Sequence, residues 1–332
     1  MDKHIHSIIA INAPVMAIAA MISLACITGS AHAQAWPSKP VRLVVTYPPG
    51  GGADAMARLI APKLGEELGQ PVIVENRPGA SGQIGADQVA KSAPDGYTLM
   101  LDASSYATNP ALFAKLPYDP AKAFKPVTVI ALFPNMLVVN PQFSARSVAE
   151  LIQLARSKPG VVAYASSGNG SAQHLAGKLF AQRMNLNLLH VPYKGGGPAM
   201  TDVMGGQVPV FFANLASGLV HVKSGKLRVL GVTGARRVPV LPDVPTLTEA
   251  GVPQYEVYEW NAIFAPAATP PAVIDRLSGA LRKVIATPEV RERIAALGGE
   301  LVGSAPDEAG RFIDGQTVLW AKVIRAADIK PD

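Results

Sequence analysis

The stretch Val41-Arg42-Leu43-Val44-Val45-Thr46-Tyr47-Pro48-Pro49-Gly50-Gly51-Gly52-Ala53-Asp54 decides the fold class. Val41 to Thr46 is a short, mostly apolar run with the β-branched content of a strand. Tyr47 to Gly52 is a turn. Asp54 is suited to cap a helix that runs to about Leu68, with Ala55, Leu59 and Leu64 among its apolar positions. Strand, glycine-rich loop and helix follow one another without a linker. The same unit recurs downstream: strand Val72–Val74, loop Asn76–Gly82, a helix to about Ser92, then Pro94-Asp95-Gly96 turning into a strand over Tyr97–Leu101. Such alternation predicts a parallel, doubly wound α/β sheet.

The pattern then restarts. Strands are expected at Met136–Val139, Val161–Ala165, Leu188–Val191, Val208–Phe212 and Leu227–Val232. Helices are expected at Val148–Ser157, from Ser171 as N-cap through Met184, from Pro198 as first helical residue, and up to about Ser224. The Pro-rich segment Val238–Gly251 carries little regular structure, and helices near 271–286, 289–297 and 306–325 close the chain. Two successive α/β sets without a long linker predict two lobes, with the ligand site in the cleft between them.

Three glycine-rich loops sit where a strand ends and a helix begins: Gly50–Gly52, Ser166–Ser171 and Gly195–Gly197. Free N–H groups and the positive end of the helix dipole bind anions there, and glycine lets a ligand approach the backbone. Enzyme signatures are missing. No G-x-G-x-x-G follows Val41–Thr46, no G-x-x-x-x-G-K-[ST] occurs, and no G-x-S-x-G elbow occurs. Ser171 and His174 lie three apart, better read as a helix cap beside a packed histidine than as a catalytic pair. His174, His190 and His221 fall in separate elements, so no metal site is expected. Asp54, Asp102 and Asp202 read as cap, turn or helix-surface residues. Of the aromatics near loop and strand ends (Tyr47, Phe133, Tyr193, Phe211, Phe212, Trp260), a minority would line the cleft. Lys194 is the one cation beside a glycine loop.

The N-terminus reads as an export signal over residues 1–33. Lys3 precedes an apolar run from Val15 to Ile27, and Ala31-His32-Ala33 offers an A-x-A cleavage site before Gln34. The single cysteine, Cys26, lies inside that segment. Cleavage would leave no disulfide and no thiol chemistry; the rival reading is that Leu24-Ala25-Cys26 is a lipidation site. The 332 residues are 49% hydrophobic and only 16% charged, which excludes a disordered chain or a coiled coil. The net charge of +6 is scattered, without the basic stripe that nucleic acid requires.

Several of these motifs, in this order, resemble the periplasmic solute receptors of tripartite tricarboxylate transporters, often called Bug proteins. The resemblance runs from Trp36-Pro37 nearly to the C-terminus. It is carried by Tyr47–Asp54 with Ala57-Arg58, by Glu75–Gly82, and by Pro94–Leu99. It continues through Ser166–His174, His190–Gly195, Gly205–Val208, Leu241–Thr246, Glu249–Gly251 and Ala265-Pro266 with Thr269-Pro270. The resemblance implies a two-lobed periplasmic-binding-protein (Venus flytrap) fold, each lobe a mostly parallel sheet flanked by helices. One lobe would take 36–135 plus 258–332 and the other 136–257. It also implies a non-catalytic, monomeric receptor without a cofactor. Such a receptor binds a small carboxylate (a di- or tricarboxylate, an acidic amino acid or an aromatic acid) and serves a two-component membrane permease. The ligand-binding residues expected are Tyr47, Gly50, Gly51, Gly52, Asp54 and Ser104 in the first lobe. In the second they are Ser166, Ser167, Gly168, Gly170, Ser171, His174, Tyr193, Phe212 and Asn214, with Phe212-Ala213-Asn214 setting ligand identity. Ser81 stands where the family often has glycine. A secreted serine hydrolase using Ser171 or Ser81, or a sensing module outside transport, is the alternative.

Overall fold

The computed structural model describes residues 36–330. The expected signal segment 1–33 and Cys26 lie outside the described residues. Strands β1 (Val41–Val45), β2 (Val72–Asn76) and β3 (Thr98–Asp102) are parallel neighbours in the order β2-β1-β3. Helices α1 (Gly52–Leu68), α2 (Gln83–Ala90) and α3 (Ser104–Leu112) follow them in turn. Burial of β1 on both faces explains its near-continuous apolar run. α1 buries Met56, Ile60 and Leu64 and ends at Gly69, whose φ of 74° lets its N–H close back on Gly65 and Glu66.

The second set repeats the plan. β5 (Ala163–Ser166) pairs in parallel with β6 (Leu189–Pro192) and β7 (Val210–Asn214). α4 (Val148–Ser157), α5 (Ala172–Met184), α6 (Gly196–Met204) and α7 (Leu215–Lys223) accompany them, with β8 (Arg228–Val232) beyond. The chain then returns through β9 (Tyr258–Pro266), α8 (Pro271–Ala286), α9 (Pro288–Ala296), β10 (Glu300–Leu301) and α10 (Pro306–Ala326).

One strand serves both sheets. β4 (Phe124–Val139) is 16 residues long. Its first part pairs with β9 and β10, and its last part with β7 and β8. Each antiparallel pairing of a named strand includes β4 or β9. Sequence pattern alone places only Met136–Val139 in a strand and assigns neither β9 nor α3. Pro126 and Pro134 interrupt the strand pattern of β4, and its register against β9 shifts between Pro126 and Thr128. Pro198 is the third residue of α6 rather than the first, because Gly195 is already the N-cap.

Where β4 passes from one sheet to the other, Thr233 ties three segments together. Its Oγ1 accepts from Asn135 N–H at 2.7 Å and donates to Val257 O at 2.6 Å. Its N–H donates to Asn135 O, and Val257 N–H donates to Thr233 O, both at 2.9 Å.

Candidate functional site

The first glycine loop opens directly into α1. Gly51, not Asp54, is the N-cap, with extended backbone and no side-chain cap. Asp54 lies in the first turn, where its Oδ2 accepts the Gly50 N–H at 3.0 Å. Its carboxylate also takes Arg58 Nε and, through Oδ1, Asn76 Nδ2, each at 3.0 Å. Burial alone would raise its pKa, but these donors outweigh it and hold Asp54 below the usual carboxylate range. Asp54 and Gly50 are therefore bonded to each other at the mouth of α1. The N–H groups of Gly52 and Ala53 have no acceptor among the described residues. They remain open at the positive end of the dipole.

Beside this loop stands a chain of hydroxyls. Tyr47 donates to Ser105 Oγ at 2.9 Å, and Ser105 donates to Asp102 Oδ1 at 2.8 Å. Asp102 also takes the Thr46 hydroxyl at 2.9 Å and the Ala103 N–H at 2.7 Å, while its Oδ2 has no partner. Asp102 is thus a buried acid rather than a turn residue. Burial pushes it up to about 6, against the pull of its donors. The hydroxyl of Ser104, at the start of α3, is buried and unpartnered.

In the second lobe, Ser166 closes the β5–α5 loop by accepting the Gly168 N–H at 3.1 Å. Ser171 is the N-cap as expected: it accepts His174 N–H at 3.2 Å and donates to Gly168 O at 2.7 Å. Gly168 has a φ of +124°, and a methyl there would meet Tyr193 O at 3.2 Å. His174 accepts the Gly170 N–H on Nδ1 at 3.1 Å, which leaves the ring proton on Nε2. Its ring stacks on His190 at 3.7 Å, and His190 Nε2 lies 2.7 Å from Ser166 Oγ. Burial first, then His190 and Lys178, push His174 down to about 3, so it is neutral. Ser167 O takes Gly195 N–H, joining the second and third glycine loops. Tyr193 donates to Asp202 Oδ2 at 2.7 Å.

Phe212 is fully buried between Tyr164 and Phe180. It is a core residue, and only Asn214 of its trio reaches the cluster. Asn214 uses Oδ1 as the cap of α7, accepting Ser217 N–H at 3.2 Å. That fixes its amide, and Nδ2 donates to Glu259 Oε2 at 2.8 Å. Gln173 Nε2 donates to the same oxygen at 3.0 Å. A methyl placed on Gly52 would lie 3.8 Å from Glu259 Oε1. Glu259, on β9, thus joins the first glycine loop to two amides of the second lobe. Burial raises its pKa, opposed in part by Asn214 and Gln173. Sequence reasoning misses Glu259, Gln173, Ser105 and His190. The available signal for Glu259 is an acid at the head of the apolar run Trp260–Pro266. Two surface depressions, lined by Asn140, Met204 and Lys226 and by Lys125, Asp307 and Asp314, share no residue with this cluster. Among the described residues no group of three or more acids and histidines is placed to hold a metal.

The family model described as "Tripartite tricarboxylate transporter family receptor" matches residues 56–329. The chain belongs to this family. A receptor-family relative, the protein BugT of Bordetella pertussis, is 38% identical over 315 residues, covering 94% of this chain and 97% of its own. Two solved structures share the two-lobed α/β architecture. R. palustris Rpa4515 with adipate superposes with a TM-score of 0.84 at 37% identity, covering 90% of this chain and 100% of that one. MatC from Rhodopseudomonas palustris, with bound malate, does so at 0.79 and 31% identity, covering 87% and 100%. The family is one of solute receptors rather than enzymes.

Proposed function

We propose that this chain is a periplasmic receptor that captures a small carboxylate between its lobes and delivers it to a two-component membrane permease. The lobes are residues 36–135 with 258–332, and residues 136–257, closing by a hinge at the shared strand. The observation that carries the reading is Glu259: loops of both lobes already converge on a carboxylate, with amides from one side and a helix N-terminus on the other. The ligand carboxylate docks at the open N–H groups of Gly52 and Ala53, with Tyr47 and Ser104 beside them. The Ser166–Gly170 loop and Asn214 close over its far end. Neighbours solved with adipate and malate support this ligand chemistry. The receptor acts as a monomer and is exported by cleavage near Ala33. A hydrolase using Ser171 is disfavoured, because that hydroxyl is committed to capping α5.

The test is thermal unfolding against a panel of carboxylic acids. A ligand that binds only the folded chain adds about 2.7 kcal/mol at a hundredfold excess over Kd. An upward shift with one or a few acids is the expected result. No shift with any acid, repeated on protein refolded to strip resident ligand, overturns the reading.

A further inference from the structure

Glu259 has no positive partner. Both of its hydrogen bonds are to Oε2, from Gln173 and Asn214. Oε1 accepts from no described residue, yet it faces the loop where α1 begins. No Lys, Arg or His among the described residues forms an ion pair with it. The nearest cation of the first loop, Arg58, is committed to Asp54 and Asn76. The one cation beside the third loop, Lys194, is exposed.

What this end of the site offers a ligand is therefore mainly acceptors. Asn214 spends its carbonyl oxygen on Ser217 and its amide nitrogen on Glu259. Gln173 gives its amide nitrogen to Glu259, which leaves its carbonyl oxygen. A plain dicarboxylate seated on α1 would bring only negative charge beside a half-buried carboxylate and an amide oxygen. An unpaired, partly buried carboxylate is costly, and a donor that completes its hydrogen bonding relieves that cost. A cation does so most strongly.

We propose that Glu259 is a specificity-determining residue: the ligand carries, beside its carboxylate, an ammonium or similar cationic donor that seats on Glu259 Oε1. The inference rests on the carboxylate-receptor reading and narrows it to amino-carboxylates over plain dicarboxylates. The open N–H groups of α1 take the ligand carboxylate, and Glu259 Oε1, which faces the same loop, takes a cation carried next to it.

The experiment uses matched pairs that differ in an amino group: succinate and aspartate, glutarate and glutamate, adipate and 2-aminoadipate, butyrate and 2-aminobutyrate. Affinities for wild type and Glu259→Gln are measured by isothermal titration calorimetry. The expected result is at least a tenfold preference for the amino member in the pair that binds best. Glu259→Gln then loses at least tenfold on that member, so that the preference within the pair collapses. Glu259→Asp, which keeps the charge, retains part of the preference. If wild type binds the des-amino members as tightly or more tightly, the inference fails while the receptor reading stands. It fails equally if Glu259→Gln leaves the preference unchanged. If no member of any pair binds wild-type protein, the inference fails, and the wider acid panel decides the receptor reading. The wild-type comparison decides the matter even if a variant folds poorly.

Discussion

Replacing Gly170 by alanine should weaken ligand capture while leaving both lobes folded. Gly170 lies in the β5–α5 loop with a φ of +71°, and a methyl there would sit 2.1 Å from Leu112 Cδ1. Leu112, the last residue of α3, is only 7% exposed and packs in the hydrophobic core, so it has little room to yield. The contact must lengthen by about 1.5 Å to reach ordinary separation. Overpacking of this kind costs about 1–3 kcal/mol. On the proposed division the two residues belong to different lobes, so that cost arises on closure. At 1.4 kcal/mol per tenfold, affinity should fall about 5- to 150-fold. The left-handed backbone adds roughly 1–2 kcal/mol in open and closed forms alike, and so lowers the unfolding temperature instead. Calorimetric titration with the acid that most stabilises wild type reads the first effect, and thermal melts read the second. In a double-mutant cycle with Leu112→Ala, the affinity loss should shrink, giving a coupling of about 1 kcal/mol or more. Wild-type affinity in Gly170→Ala, or the same loss with and without Leu112, would refute the interlobe account.

Three further outcomes are expected. His174 is held neutral, down to about 3, so the unfolded chain binds its proton first. Its contribution is intact above its ordinary value of 6.5 and is lost as pH falls from there towards 3. Urea midpoints measured between pH 7 and 4 should fall less steeply in His174→Gln. Thr233→Val orphans the Asn135 N–H and the Val257 carbonyl at the crossing between sheets, costing about 1–3 kcal/mol by urea denaturation. In Gly177→Ala the methyl would lie 2.2 Å from Tyr164 Cε2, a ring only 1% exposed, so stability should drop by about 1–3 kcal/mol with ligand affinity little changed.

Local chemistry is legible in the sequence wherever a few consecutive residues decide it. The run from Val41 to Gly52 announces strand, loop and helix, and the Ser171 cap is found where its spacing places it. Asp54 lies within one helical turn of the cap position its side chain suggests. Gly51 takes that position instead, because it can enter the helix without a side-chain acceptor. The first part of β4 is hidden behind Pro126 and Pro134; the register shift beside Pro126 accommodates the first, and the second sits where β4 leaves β9. Glu259 is invisible for another reason. Its partners Gln173 and Asn214 lie 86 and 45 residues away, and neither has a pattern that points to an acid. Phe212 is misplaced because a strand end looks the same whether its side chain enters the core or the cleft.

The position of β9 constrains the order in which the protein can assemble. Met100 pairs with Phe264 and Leu101 with Ile263, so the strand that flanks β3 is made long after β3 itself. The same strand supplies most of the register of β4. As the chain emerges from the ribosome, β1, β2 and β3 form a half-sheet with a bare edge until residue 266 is available. Contacts of that sequence separation fold slowly. On the proposed export route, a precursor that crosses a membrane as an extended polypeptide gains from this delay, because the sheet around β3 cannot be completed before β9 has been synthesised. A circular permutant whose chain begins just before β9 would make that strand ahead of β3 and remove the delay, yielding a chain that folds earlier and, on the proposed export route, threads through a translocation pore less readily.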